Sequence, residues 1–244
     1  MRDLNPYAAP GAAQGYEAIR PPYPAQAVSL ALEGDPRVIA DVGAGTGRFS
    51  IAAAQALPHS QIIAIEPSEE MRSSWPEIPQ QVVVSGATAE DTQLPRQSCD
   101  RVVWAQSFHW IDPHAASVET NRILRDGGYG IVIANQMDVS QAWVHRLTRI
   151  MRSGDVYRPD RPPQLPRFVS TFLQPVAWVQ NLRVDEVLLL ARTRASYLRA
   201  KDATRAKMQE NLRWYLLEHL GYGPEDIVEI PYFTYVWRLD PSST

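Results

Sequence analysis

The sequence has almost no cysteine and no cluster of metal-binding residues. Its single cysteine, Cys99, excludes an internal disulfide and a cysteine-based metal site. The five histidines do not follow the spacing of metal ligands. We therefore expect no metal cofactor. The low cysteine content also agrees with a reducing, cytoplasmic compartment.

Excess charge and long apolar runs are lacking as well. The 244 residues carry a net charge of -3, which gives no electrostatic reason to expect a nucleic-acid or membrane partner. No apolar run reaches the roughly 18 residues of a membrane helix. The first residues, "MRDLNPYAAPGAAQG", do not contain the apolar core of a secretory signal. These features favour a single globular domain over 1–244, as a monomer or a homodimer.

What the sequence does contain is a regular alternation of apolar runs and helical patterns. The runs are rich in Val and Ile and nearly continuous, as expected of strands buried on both faces. They are RVIADV (37–42), QIIAIE (61–66), QVVVSG (81–86), DRVVWAQ (100–106) and GIVIAN (130–135). Three helical patterns lie between them, and two have the N-cap candidates Thr46 and Ser68. The alternation predicts a doubly wound parallel sheet with helices on both faces.

Beyond this core the chain is more mixed. It contains an amphipathic helix pattern over 141–154, a proline-rich stretch over 155–168 that cannot be regular helix, and a strand candidate over 176–184. Two strong helix patterns follow, and the second ends at Gly221. An aromatic-rich segment over 232–239 predicts a final strand.

A glycine-rich loop and a carboxylate point to the ligand. The first run continues into "VGAGTG", whose glycines let the backbone turn tightly and approach a ligand closely. The second run ends in Glu66, 23 positions after Gly43. A carboxylate there can accept hydrogen bonds from the hydroxyls of a ribose. Loop and carboxylate together predict an adenosyl ligand without choosing among adenosyl ligands.

Five segments carry a resemblance to a known family: DVGAGTGRFS, AIEPSEEM, ATAEDTQLP, CDRVVWAQSFHWID and RILRDGGYGIVIAN. As a set they resemble class I S-adenosylmethionine-dependent methyltransferases, most of all the small-molecule branch of trans-aconitate methyltransferase-like proteins. The resemblance implies an α/β, Rossmann-like fold with a doubly wound, seven-stranded, mostly parallel sheet, an antiparallel final strand and a helical, proline-rich acceptor cap. It divides the chain into an N-terminal lid (1–30), a cofactor-binding core (37–135), an acceptor cap with helices (136–220) and a final strand (230–239).

The resemblance also implies S-adenosyl-L-methionine as cofactor and S-adenosyl-L-homocysteine as product. The backbone of Gly43, Ala44 and Gly45 is expected under the methionyl and ribose parts of the cofactor. Asp41 supports that loop near the methionyl ammonium, and Glu66 holds the ribose diol.

Further implied cofactor contacts follow the next strands. Pro67 and Met71 are expected against the adenine, and Gln106 faces the methionyl chain. Thr88 and Ala89 are expected at the adenine edge, where relatives often have an Asp before the Ala. The hydroxyl of Thr88 offers a hydrogen bond but no carboxylate, which changes the expected contact with the exocyclic amine.

The segment "GYEAIRPPYP" (15–24) resembles the N-terminal lid of the family, in which a Tyr and an Arg reach the cofactor carboxylate. Arg20 suits a bidentate pair with that group. Tyr16 lies four residues earlier and is a candidate contact for both cofactor and acceptor. Alternatively, the ring of Tyr16 only packs against other side chains, and Arg20 is a charged residue on the surface.

The segment "SFHWID" (107–112) follows the fourth strand, at the edge where doubly wound sheets bind ligands. His109 is the candidate catalytic base, and Trp110 is a candidate wall of the acceptor pocket. The alternative is that both residues shape the pocket without proton transfer, since methyl transfer to a good nucleophile needs only in-line positioning.

Large side chains are dense in the predicted cap, which favours an apolar or aromatic acceptor unless they form the core of the cap. Trp143 and His145 are the candidate acceptor contacts there. The full set is Trp143, Met151, Tyr157, Phe168, Phe172, Trp178 and Tyr197. A basic run over 192–207 is either a solvated helix face or a surface that attracts an acidic acceptor or RNA.

The leading hypothesis is in-line transfer of a methyl group to an O, N or C atom of a small acceptor. The acceptor is expected to be apolar or aromatic, with or without a carboxylate, and the reaction to belong to small-molecule biosynthesis. One alternative is a non-catalytic S-adenosylmethionine-binding or interaction module on the same fold. Another is a nicotinamide-dependent dehydrogenase, against which the spacing G-x-G-x-G counts. Methylation of RNA or protein is disfavoured by the net charge and by "SFHWID" itself.

Overall fold

The computed structural model describes residues 19–153 and 157–242. Within them, seven strands form one sheet: β1 Val38–Val42, β2 Gln61–Ile65, β3 Val82–Ser85, β4 Cys99–Ala105, β5 Leu124–Met137, β6 Phe168–Arg183 and β7 Ile227–Pro241. The helices of the same residues are α1 Ala25–Ala31, α2 Arg48–Ala56, α3 Glu69–Ser73, α4 Pro113–Ile123, α5 Ala142–Ile150, α6 Val184–Arg192, α7 Ala195–Leu198 and α8 Asp202–Arg213.

The sheet order is β3-β2-β1-β4-β5-β7-β6. The pairs β1–β2, β2–β3, β1–β4 and β4–β5 are parallel, and β7 is antiparallel. This order confirms the predicted seven-stranded, mostly parallel sheet with an antiparallel final strand. The order reverses between β1 and β4, so the loops after these two strands border the crevice in which such sheets bind ligands.

The chain divides into two compact units, each with its own core. The first, here called the sheet unit, comprises 22–135, 157–176 and 234–242 of the described residues. The second, here called the helical unit, comprises 19–21, 136–153 and 177–233. Ile39, Val103 and Ile131 are fully buried in the sheet unit, whereas Leu147, Leu190 and Leu212 are fully buried in the helical unit.

The N-caps show how local sequence starts the helices. Ser68 caps α3 as predicted, because its hydroxyl accepts a hydrogen bond from the Met71 N–H at 3.3 Å. The prediction of Thr46 as the cap of α2 is wrong. That helix begins after Gly47, which has a left-handed backbone (φ 82°) and no side chain to cap with. Asp112 caps α4 by accepting from two backbone N–H groups.

The second half of the chain differs from the sequence patterns in the lengths of its elements. α5 ends at Ile150, before the predicted end at 154. β6 begins at Phe168 instead of 176, and it follows an irregular proline-rich stretch. The first of the two helix patterns after it forms two helices, α6 and α7, and in the second α8 continues as a π-helix over Trp214–His219. No helix of the described residues is long and apolar enough to cross a membrane.

Candidate active site

The loop after β1 contains three glycines with left-handed backbone conformations: Gly43 (φ 73°), Gly45 (φ 57°) and Gly47 (φ 82°). A Cβ at Gly43 would lie 2.5 Å from the Cβ of Ser107, and one at Gly47 would lie 2.4 Å from the ring of Trp75. A Cβ at Gly45 would meet nothing within 4 Å. Two glycines are therefore required by packing, while Gly45 faces open space where a ligand can approach the backbone.

Glu66 connects this loop to the end of β2. Its carboxylate is 5% exposed and accepts hydrogen bonds from the backbone N–H groups of Gly45 and Ser68, both at 2.9 Å. Burial raises the pKa of Glu66, and these two hydrogen bonds oppose the rise. The carboxylate thus lies directly beside the one loop glycine that is open to a ligand.

Asp41 is a second carboxylate under the loop. It is fully buried, and its Oδ2 accepts a hydrogen bond from the Ser50 hydroxyl at 2.6 Å. Its other oxygen, Oδ1, is buried without a hydrogen-bond partner among the described residues. Burial raises the pKa of Asp41 to about 7, the Ser50 bond opposes the rise, and the charge of Glu66 adds to it. Two buried carboxylates beside an open loop suit a cationic ligand.

Two contacts at this loop were not anticipated from the sequence. The indole N–H of Trp75 donates to the Gly45 carbonyl at 2.9 Å, and the same ring lies against Gly47. Trp75 therefore stabilises the loop at two of its glycines. The guanidinium of Arg72 donates to the carbonyls of Glu66 and Pro67 at 2.6 and 2.9 Å. The Trp75 contact joins residues 30 positions apart, and no local spacing signals such a pair.

The predicted adenine contacts lie after β2 and β3. Pro67 and Thr88 are exposed and Ala89 is half-buried, whereas Met71 is buried in α3. The Thr88 hydroxyl accepts a hydrogen bond from the Asp91 N–H at 3.3 Å, which orders the turn after β3.

Gln106 directly follows β4, at the switch point. Its backbone is left-handed (φ 58°), which is unusual for a residue with a side chain. Its amide group donates to the Asn135 carbonyl at 2.8 Å. Asn135 in turn donates to the Pro22 carbonyl at 2.9 Å and accepts from Thr234. The side chain of Gln106 is therefore positioned by a network that joins β4, β5 and β7.

His109 and Trp110 lie in a short 3₁₀ turn after β4, Phe108–Trp110, and their rings adjoin with centroids 4.8 Å apart. His109 is exposed, and its Nδ1 lies 2.9 Å from the hydroxyl of Tyr157. Burial raises the pKa of Tyr157 despite hydrogen bonds to the backbone of His109 and Phe108. The phenol is therefore protonated at neutral pH, and it can donate to the histidine ring. No local spacing signals this pair, whose members lie 48 positions apart.

Three of the remaining predicted contacts lie in the helical unit, and Tyr16 lies outside the described residues. Arg20 donates to the Thr193 carbonyl at 2.6 Å. The indole of Trp143 donates to Gln141 at 3.0 Å, and its ring packs against the core of the unit. His145 is exposed on α5.

The large side chains of the predicted cap mostly serve as core. Met151 and Tyr157 are buried, and the other five pack against the core of one unit or the other: Trp143, Phe168, Phe172, Trp178 and Tyr197. Four of the seven therefore contribute to the core of the helical unit, and Tyr157, Phe168 and Phe172 contribute to the core of the sheet unit. The described residues contain no group of three or more acidic, histidine or cysteine side chains able to hold a metal ion.

A sheet of this order, with a glycine loop and an acidic residue at its switch point, has the Rossmann-like fold of methyltransferases. A protein of Anaeromyxobacter dehalogenans, provisionally described as a type II methyltransferase, shares this fold with a TM-score of 0.59 and 23% identity over 91% of this chain and 97% of that one. The YcgJ protein of Bacillus subtilis aligns with a TM-score of 0.53 and 15% identity, over 88% and 97% of the two chains.

Sequence comparison places the chain within a family. Residues 40–132 match the methyltransferase domain family. An uncharacterized methyltransferase of Mycobacterium bovis is 32% identical over 227 residues, which are 92% of each chain, and one of Mycobacterium tuberculosis matches equally. The chain belongs to the class I S-adenosylmethionine-dependent methyltransferases. A malonyl-[acyl-carrier protein] O-methyltransferase of Hahella chejuensis is 32% identical over 123 residues, 48% of this chain and 44% of that one.

Proposed function

We propose that this protein binds S-adenosyl-L-methionine at the loop after β1 and transfers its methyl group to an O, N or C atom of a small acceptor. The observation that carries the proposal is the open face of Gly45 between two buried carboxylates, Asp41 and Glu66. S-adenosylmethionine carries a sulfonium and an ammonium, and positive charge brought near Asp41 and Glu66 favours the ionised form of these two carboxyl groups, whose pKa values burial raises. The unpartnered Oδ1 of Asp41 is the buried acceptor that such a ligand would satisfy.

Different residues around the loop would contact different parts of the cofactor. The loop backbone from Gly43 to Gly45 would lie along the methionyl and ribose parts, and Glu66 would accept from the ribose hydroxyls. Pro67 and Met71 would lie against the adenine, with Thr88 and Ala89 at its edge. Gln106 would face the methionyl chain. S-adenosylmethionine supplies an activated methyl group, so the main task of the protein is to align the acceptor with it.

For the acceptor side, the aromatic group after β4 supports an apolar or aromatic small molecule. Trp110 and the exposed ring of His109 lie at the switch point, next to the end of β4. His109 would act as the base for an acceptor that must lose a proton, such as a phenol. A carboxylate acceptor needs no base, and the relative from Hahella chejuensis is an O-methyltransferase of a malonyl group. Arg20, Tyr16, Trp143 and His145 remain candidate contacts for the cofactor or the acceptor.

The proposal is tested by ligand binding to the purified protein. Thermal unfolding is followed with S-adenosylmethionine, S-adenosylhomocysteine or NAD at about 100 times the dissociation constant, which stabilises a protein by about 2.7 kcal/mol. We expect both adenosyl-sulfur ligands to raise the midpoint by several degrees and NAD to leave it unchanged. A shift with NAD alone would overturn the proposal.

Gly45→Ala is the matched variant for this site. The new methyl group meets no protein atom within 4 Å, so we expect a loss of folding stability of only about 1–2 kcal/mol from the left-handed backbone. We expect the affinity for S-adenosylhomocysteine to fall by at least about tenfold, because the methyl group occupies the open face of the loop. Gly221→Ala, with φ 78° and equally open surroundings, is the control that should keep the affinity.

The role of His109 is tested after binding has been shown. Acceptors are screened for transfer of a labelled methyl group from S-adenosylmethionine. If His109→Gln loses transfer to phenols but keeps transfer to carboxylates, His109 acts as the base.

A further inference from the structure

An open basic cleft lies within the helical unit, between α5 and the first two-thirds of α8. Its volume is about 850 Å³. Arg146, Arg149 and Arg152 line it from α5 and the residues just after that helix, and Lys207 lines it from α8. No carboxylate is among its lining residues, although the protein as a whole is acidic, with a net charge of -3.

The four cations of this cleft have no anionic partner in the described part of the chain. All four are exposed, and the described residues offer them neither an ion pair nor a side-chain hydrogen bond. Arg205 on the same helix differs, because it donates to the carbonyls of Tyr197 and Leu198 and pairs with Asp202 at 3.4 Å. Arg205 therefore differs from Lys207, the cation that α8 contributes to the cleft.

The positions of the cations follow from the two helices. Arg146 and Arg149 are three residues apart on α5, so they share one helix face and repel each other, while Arg152 follows the end of that helix. The guanidinium of Arg146 is also held near the rings of Trp214 and Tyr215, at 5.6 and 5.3 Å from their centroids. An anion bound in the cleft would relieve the repulsion.

The two helices beside the cleft are anchored in a packed core. Val144 and Leu147 on α5, and Met208 and Leu212 on α8, are buried in the core of the helical unit. Packing therefore fixes the backbones of the two helices, while their basic side chains line the cleft. Thr204 and Asn211 add a hydroxyl and an amide to the lining.

From these observations we infer that the cleft binds a small multivalent anion, a phosphate ester or diphosphate carried on a metabolite. Guanidinium groups match phosphate oxygens bidentately, and an ammonium group adds a compact positive charge. The volume falls in the range of small-molecule sites. A nucleic acid is disfavoured because the protein as a whole is acidic, with a net charge of -3. The inference concerns the helical unit alone and does not depend on the proposed methyl transfer.

The test is calorimetric titration of the full chain with inorganic pyrophosphate at low ionic strength. We expect saturable binding at one site per chain that weakens as salt is added. Arg149→Gln and Lys207→Gln should each lower the affinity by at least about tenfold. Arg213→Gln is the matched control, since it removes one exposed cation from α8 outside the cleft, and it should change the affinity less than twofold. All three positions are exposed, so the variants should unfold at the temperature of the parent protein.

Several results would overturn this assignment. They are the absence of saturable binding at millimolar pyrophosphate, an equal loss of affinity in Arg213→Gln, and tighter binding of citrate than of pyrophosphate through the same residues. Tighter binding of a single-stranded oligonucleotide than of pyrophosphate would replace the small anion with a nucleic acid. None of these measurements uses S-adenosylmethionine or an acceptor, so failure here is separate from failure of the proposed methyl transfer.

Discussion

At the scale of single residues, burial of Asp41 makes the stability of the ligand-free protein depend on pH. Its pKa rises from 3.8 to about 7 on folding, because burial opposes the charged form. Between these values the unfolded chain has lost the proton while the folded protein retains it. The free energy of unfolding therefore falls as pH rises from about 4 to about 7, and it changes little from this group above pH 7. At about 1.4 kcal/mol per pH unit, the contribution is roughly 4 kcal/mol.

Asp41→Asn should remove this contribution. The amide keeps an oxygen for the Ser50 hydroxyl but has no titratable proton in this range. We expect the variant to be more stable than the parent at pH 8 and to differ little from it near pH 4, as measured by urea unfolding. Val118→Ala, a change at an exposed position without a titratable group, serves as the control and should keep the parental slope. An unchanged slope in Asp41→Asn would show that the buried carboxylate does not titrate in this window.

The pair of His109 and Tyr157 gives a second prediction at this scale. The hydroxyl of Tyr157 lies on a side chain that is only 5% exposed, and its partner is the ring of His109 at 2.9 Å. We expect a coupling of about 1 kcal/mol between Tyr157→Phe and His109→Ala, because either change removes the same hydrogen bond. A double-mutant cycle of urea unfolding measures it.

The control cycle combines Tyr157→Phe with His114→Ala, an exposed histidine on α4. It should show no coupling. Additive effects in the His109 cycle would mean that the hydrogen bond does not form in solution.

At the scale of elements, the turn from β1 into α2 depends on a contact with the segment after α3. Gly47 has a left-handed backbone, and a Cβ there would lie 2.4 Å from the Trp75 ring. Gly47→Ala should therefore cost about 1–2 kcal/mol for the backbone and a further 1–3 kcal/mol for the clash, or about 2–5 kcal/mol in all. Gly221 has a similar φ of 78°, and a Cβ there would meet nothing within 4 Å. Gly221→Ala should therefore lose only the roughly 1–2 kcal/mol that comes from backbone strain.

Urea unfolding of the two glycine variants separates backbone strain from packing. The difference between them reports the Trp75 contact alone. The double variant Gly47→Ala with Trp75→Phe should regain part of the loss, because a smaller ring leaves room for the methyl group. Equal losses in the two single variants would mean that the Trp75 ring moves aside at no cost.

The elements also show how far the sequence predicts this structure. The parallel strands and their helices were predictable, because buried strands read as continuous Val and Ile runs. The early start of β6 was not, since the segment from Phe168 contains polar residues and Pro175. β6 lies at the edge of the sheet order, where a missing N–H donor is tolerated.

In the candidate site too, some residues are predictable from the sequence and others are not. Gly43, Gly45 and Glu66 can be proposed from the sequence because their spacing along the chain reflects the ends of β1 and β2. Trp75 and Tyr157 were not assigned to the loop or to His109, because those contacts depend on how distant segments pack. Thr46 was mistaken for an N-cap because the chain uses the left-handed Gly47 at that position instead.

At the scale of the whole molecule, the two units have separate cores. The buried cluster of the helical unit and the two clusters of the sheet unit share no residue. The proposed cofactor loop belongs to the sheet unit, and the basic cleft belongs to the helical unit. Stability and ligand binding should therefore respond differently to changes in each core.

Leu147→Ala tests this division. Leu147 is fully buried in the helical unit, so removing its side chain should cost about 2–5 kcal/mol of unfolding free energy. Each kcal/mol lowers the midpoint by roughly 2–4 °C for a chain of this size. Leu189→Ala, in the same unit but at a side chain that is 42% exposed, should cost less than about 1 kcal/mol.

Below the unfolding transition, both variants should bind S-adenosylhomocysteine with an affinity within about twofold of the parent, because neither residue belongs to the cores of the sheet unit, which contains the loop. A large loss of affinity in Leu147→Ala, measured by calorimetry on folded protein, would mean that the core of the helical unit supports the cofactor loop and that the two units act as one.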